Sequence, residues 1–140
     1  MLVIACAFGL GAAIQKVGLA TIIADGAMGI AGPNPMVLLA IIYIATVLLT
    51  ETITNNAAAI VMFPIAVSTA VSAGLDVTPF AVAVMIAASA SFITPIGYQT
   101  NLMVQGPGGY RFGDYARLGF PLSILVACTS VALIPIIWPF

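Results

Sequence analysis

Thr50-Glu51-Thr52-Ile53-Thr54-Asn55-Asn56 gathers one carboxylate, three hydroxyls and two amides in seven residues, between two strongly apolar runs, 36–49 and 57–67. Hydroxyl and amide oxygens in such number form a set of hard ligands for a cation, and the N–H groups that open a helix favour an anion. The hydroxyl of Thr54 and the amide oxygen of Asn55 are the side-chain oxygens for the first role, and the N–H groups of Asn56, Ala57 and Ala58 serve the second. A second polar group, Thr94-Pro95-Ile96-Gly97-Tyr98-Gln99-Thr100-Asn101, lies about 40 residues on and combines side-chain oxygens with a proline and a glycine, which break helices. Between Lys16 and Arg111 there is no Lys, Arg or His. An anion held here would therefore rely on helix ends and on a bound cation, which is a physical reason for coupling the two.

The elements that position these groups are membrane helices. Hydrophobic residues make up 63% of the chain and charged residues 5%, where soluble domains carry roughly a quarter charged. The apolar runs recur along the whole length, which excludes a signal peptide as their cause, and they lack the alternation of a barrel. An all-α membrane protein is expected, with the lipid bilayer as solvent and no nucleic-acid partner, since no basic run exists. Cys6 and Cys128 read as small buried hydrophobes.

Each flank of the first polar group runs only about 14 to 16 residues before polar, Gly or Pro punctuation, so at 1.5 Å rise it reaches roughly 21 to 24 Å, short of a ~30 Å hydrocarbon core. Two short helices with a polar tip make a re-entrant hairpin, expected over 36–72. Before it, 1–32 reads as the end of a spanning helix followed by an amphipathic interfacial helix. After it, Thr78 as N-cap and Pro79 at the first helical position open a broken helix over 78–104. Residues 105–117, with four glycines, are expected as an interfacial loop whose arginines face the cytoplasm. The last spanning helix is expected at 118–138, the one segment long enough to cross unaided. Tyr110, Tyr115 and Trp138 are interfacial anchors, and Asp25, Asp76 and Asp114 receive no chemistry.

A polar hairpin tip facing a broken helix is the set of parts from which secondary transporters build a midplane site. The stretches "TETITNNAAAIVMFPIA" and "SASFITPIGYQTNLMVQGPGGYRFGDYARLGFPL" resemble the C-terminal half of divalent-anion/sodium symporters, the citrate-transporter-like class of dicarboxylate and sulfate carriers. The resemblance implies one inverted-repeat half of a secondary transporter, a single transmembrane domain over 1–140. The family's Ser-Asn-Thr signature falls on Thr54, Asn55 and Asn56, with Asn55 matching. Its Thr-Pro-x-Asn falls on Tyr98, Gln99, Thr100 and Asn101, with Asn101 matching. By this resemblance the substrate-binding residues are Thr54, Asn55, Asn56, Tyr98, Gln99 and Asn101. The sodium site would use Thr50, the carbonyl of Ile53, Asn55 and the carbonyl of Gly97. The resemblance implies a small divalent anion as substrate, either sulfate or a dicarboxylate such as citrate or succinate. Sodium is the expected coupling ion, with no other cofactor or metal. A bacterial cytoplasmic membrane is the expected location.

Plainer readings accompany each assignment. Thr54 and Asn55 could simply cap the following helix, the break could be a packing kink, and Glu51 could couple protons or be a structural carboxylate taking hydrogen bonds. An enzyme is not expected, because there is no histidine, no nucleophile motif and no metal-ligand cluster. A membrane-embedded anion sensor or regulatory subunit without transport is the alternative. One hairpin and one break make one repeat, so a missing N-terminal half is expected as partner, from the same longer chain or a separate one, with a homodimer when complete.

Overall fold

The computed structural model describes residues 9, 12, 13, 16–32 and 34–140, with the backbone alone for 19 and 20. Most of the spanning helix expected at the start of 1–32 lies outside the described residues, as does Cys6. Among the described residues the chain is all-helical: α1 (Leu19–Ala31), α2 (Pro35–Thr50), α3 (Asn55–Ala73), α4 (Val77–Ser89), α5 (Gln99–Gly108) and α6 (Phe112–Ile137).

Four of these helices form the body. The α3 helix packs against α1 and α4, α4 packs also against α2, and α6 lies across α2 and α4. Small residues let the backbones approach: Ala24, Ala27 and Ala31 on α1, Ala58, Ala66 and Ala70 on α3, and Ala83, Ala87 and Ala88 on α4 are all buried. Larger side chains, Leu38, Leu39, Ile42 and Tyr43 of α2, Phe80 and Val84 of α4 and Ile134 of α6, fill the space between. Two buried hydroxyls close on their own helices, Thr46 Oγ1 donating to the Ile42 carbonyl at 2.7 Å and Thr69 Oγ1 to the Ile65 carbonyl at 2.8 Å. That is how polar residues enter an apolar interior without an unsatisfied donor.

The second arm of the hairpin is longer than its apolar run. Thr69 and its serine neighbours continue the helix to Ala73, where Gly74 at φ 69° ends it. At 19 residues α3 joins the 26-residue α6 as a helix long and apolar enough to cross a membrane. The 118–138 helix is thus not alone in that respect, and α6 itself begins earlier, at Phe112.

Three local expectations are corrected. The α4 helix is capped by Asp76, whose carboxylate accepts from Thr78 N at 2.7 Å, so Thr78 is inside the helix. Backbone hydrogen bonding to Thr78 holds the Asp76 carboxyl below its ordinary 3.8. The 105–117 stretch is mostly helical: α5 runs to Gly108, Gly109 at φ 65° turns the chain, and Asp114 accepts from Arg111 N at 2.8 Å to start α6. Cys128 is exposed on α6 instead of buried, because α6 turns most of its apolar surface away from the body. The α5 helix has no buried residue and packs on no other described helix.

Candidate functional site

The two polar groups meet. The α2 helix ends at Thr50, residues 51–54 turn, and α3 starts at Asn55, while α4 ends at Ser89 and the chain runs irregularly to Tyr98 before α5. The break is therefore wider than Thr94–Asn101 and begins at Ala90, where a helical hydrogen-bond ladder gives way to side-chain partners. Gln99, Thr100 and Asn101 belong to the first turn of α5.

Between tip and break lies a cleft of about 380 Å³ lined by Thr54, Asn55, Asn56, Ile96, Gly97, Tyr98, Gln99 and Thr100. None of these side chains is charged. The cleft is at the small end of ligand pockets, which run roughly 300–1,000 Å³. Both lining stretches stand at or just before helix N-termini, those of α3 and α5, which carry partial positive charge. Of the expected substrate residues, Thr54, Asn55, Asn56, Tyr98 and Gln99 are on the cleft, and Ile96 and Thr100 join them without having been singled out.

Asn101 is not among the lining residues. Its amide Nδ2 reaches the carbonyls of Ser91 and Thr94, each at 3.4 Å, and its own carbonyl accepts from Tyr115 Oη at 3.0 Å. It links the break to α5 and, through Tyr115, to α6. Tyr115 thereby has a specific partner beyond an interfacial role.

The backbone donors at the tip are partly used. Ala58 N donates to the Thr54 carbonyl at 3.0 Å and Asn56 N to Asn55 Oδ1 at 2.8 Å, so these two N–H groups do not face an anion as expected. Thr54 occupies the N-cap position but its side chain makes no cap bond. The plain capping role accordingly falls to Asn55 alone, and the Thr54 hydroxyl is left on the cleft.

Of the residues expected around sodium, Thr50 lies against Gly97, and Asn55 lines the cleft with Gly97. Gly97 is buried so tightly against the Thr50 carbonyl and the Ser91 hydroxyl that a Cβ there would overlap both. Thr50 is fully buried, and its Oγ1 donates to the Ala88 carbonyl at 2.7 Å, which leaves lone pairs free. Asn55 and Gly97 line the cleft together. Ile53 is held in the turn by its N–H, which donates to the Leu49 carbonyl at 3.0 Å.

Glu51 is 7% exposed and does not open on the cleft. Its Oε1 accepts from the N–H groups of Phe92 and Ile93, both at 2.9 Å, and its Oε2 from Thr94 N at 2.8 Å and Ser91 Oγ at 3.2 Å. Thr94 Oγ1 donates back to the Glu51 carbonyl at 2.8 Å. Ser91 was missed by reading the sequence, and a serine between two apolar segments carries little signal by itself.

Among the described residues, the helical body with apolar faces turned outward and two helices long and apolar enough to cross a bilayer fit an integral membrane protein with an uncharged polar cleft. The whole chain, residues 1–140, matches the citrate transporter family and belongs to it. That is a family of transporters, not enzymes. The chain is 44% identical over 128 residues to sodium/sulfate cotransporter 1 of Chlamydomonas reinhardtii, covering 88% of this chain and 14% of that protein. It is 45% identical over 139 residues to a protein of the same alga named as a sulfur deprivation response regulator, covering 95% and 23%. Identity to the sodium-dependent dicarboxylate transporter of Staphylococcus saprophyticus is 27% over 126 residues, covering 90% and 24%. The chain thus spans about a quarter or less of the length of these relatives.

Proposed function

We propose that this chain forms one half of the site of a secondary transporter that moves a small divalent anion with sodium, and that the anion is sulfate in preference to a dicarboxylate. The observation that carries the reading is the uncharged cleft of about 380 Å³ between hairpin tip and break. An anion there has no cationic side chain to meet. Its charge is balanced by the N-termini of α3 and α5 and by a cation at the Thr50, Ile53, Asn55 and Gly97 corner, so occupancy of one site favours the other. Thr54, Asn55, Asn56, Tyr98 and Gln99 contact the anion in this reading, and Asn101 supports their placement. The preference for sulfate rests on the sulfate-named relative being more similar to the chain than the dicarboxylate-named one.

In this reading α2 and α3 form a re-entrant hairpin, and the chain is a single transmembrane unit whose partner half comes from elsewhere, the complete transporter being a homodimer. A bacterial inner membrane remains our assignment for the location, although algal relatives are also present. Of the two roles open to Glu51, the four donors around its carboxylate support anchoring over proton transfer.

The test is sulfate uptake by proteoliposomes holding the complete transporter, this chain together with its partner half. Uptake driven by an inward sodium gradient and lost in Asn55→Ala is the expected result, and sodium-independent uptake that is steep in pH contradicts it. The chain alone should give no flux. The similarity to a protein named as a sulfur deprivation response regulator favours one second reading, an anion sensor. Sulfate binding without any flux would select it.

A further inference from the structure

We propose that Glu51 is the positioning residue of the cleft, its carboxylate holding the broken segment 91–94 against the hairpin turn so that residues 96–100 face residues 54–56. This rests on the transport reading above. Once α4 ends at Ser89, the N–H groups of Phe92, Ile93 and Thr94 have no helical carbonyl to meet, and such donors left bare at depth in an apolar protein are costly. Glu51 takes all of them, together with the Ser91 hydroxyl, and Thr94 Oγ1 closes the loop on the Glu51 carbonyl. Three successive amides converging on one carboxylate form an anion nest whose occupant is the protein's own side chain.

These bonds also account for where Gly97 sits. With 91–94 fixed to the turn, Gly97 is pressed onto the Thr50 carbonyl and the Ser91 hydroxyl, and the residues after it are delivered to the cleft opposite Thr54–Asn56. The donors of Phe92–Thr94 are spent on Glu51, so they do not compete for a bound anion. Every hydrogen-bonding group that faces the carboxylate is a donor, which makes the residue type specific. A glutamine keeps the size but turns an NH2 group towards amide N–H groups, and an aspartate is one methylene too short to serve both Oε positions.

The test uses the complete purified transporter in detergent, with two readouts: hydrogen exchange at Phe92–Thr94 and stabilisation against heat by sodium and by sulfate. In the unsubstituted protein these amides should exchange slowly, and both ions should stabilise. In Glu51→Gln the amides should exchange faster, and the half-saturating sulfate and sodium concentrations should rise by at least about tenfold, the factor that a loss of about 1.4 kcal/mol of binding gives. Ser91→Ala and Thr94→Val each remove one tie and should show smaller changes in the same direction. They decide the matter if Glu51→Gln does not fold. Unaltered half-saturating concentrations in the variants that fold, with faster exchange or without it, would reduce Glu51 to a structural carboxylate and overturn the proposal. An unsubstituted protein that responds to neither ion overturns the transport reading itself, a failure visible before any variant is made.

Discussion

Gly97 and Asn55 carry the strictest demands in the site. A methyl group at Gly97 would overlap the Thr50 carbonyl and the Ser91 hydroxyl, one of them backbone and unable to rotate away. Gly97→Ala should therefore destabilise by about 1–3 kcal/mol, the usual cost of overpacking, and should abolish sodium-dependent stabilisation; thermal unfolding with and without sodium reads both. Asn55, Thr54 and Gly97 were legible in the sequence because polar and backbone-permissive residues are conspicuous in apolar surroundings. Ser91 and the supporting place of Asn101 were not, because their partners are main-chain groups distant in sequence that only folding brings near. Glu51 was visible, but the choice between its two roles depended on the four donors that surround it.

Helix ends give the next set of expectations. Thr50 joins the end of α2 to the end of α4 through its bond to the Ala88 carbonyl. Thr50→Val keeps the volume and leaves that buried acceptor bare, a loss of about 1–3 kcal/mol measurable by chemical or thermal unfolding. Asp76 caps α4, and its carboxyl is held below the ordinary value of 3.8. A lowered folded value means the cap contributes fully above the unfolded carboxyl's pKa and is lost as pH falls through the folded one, below about 3.8. Protection of the first-turn amides of α4 against hydrogen exchange, taken relative to the intrinsic rate at each pH, should fall over that acid range, whereas in Asp76→Ala it should be low already and should not change there. This cap was misread because Thr78-Pro79 matches the usual start signal, while Asp76 two residues earlier offers the stronger acceptor. The helical character of 105–117 was hidden by its four glycines, two of which, Gly108 and Gly109, mark only the end of α5. Gly119 shows the opposite use of glycine: it is buried where α6 crosses the backbone of Phe92 and Ile93, so a side chain there would lift α6 off the break.

Across the molecule, composition alone revealed a helical membrane protein, and the order of apolar runs pointed to the turn between α2 and α3, the irregular stretch after α4 and the last helix. The length of α3 was not legible in the same way, because the helix continues past its apolar run through Ser68, Thr69 and Ser72, with the Thr69 hydroxyl satisfied within the helix. Cysteine accessibility separates the two arrangements: a re-entrant hairpin makes positions 36 and 55 reachable from the same side of the membrane, whereas labelling from opposite sides means a spanning arm. The central claim is that one uncharged cleft binds anion and sodium interdependently. Its most direct measurement is thermal unfolding of the complete transporter against sulfate, succinate and citrate, each with sodium and with potassium in its place. A ligand at a hundred times its dissociation constant stabilises by about 2.7 kcal/mol. The account predicts that sulfate raises the unfolding temperature in sodium, does so far less in potassium, and exceeds both carboxylates. Equal stabilisation by sulfate in either cation, or none in both, would contradict it.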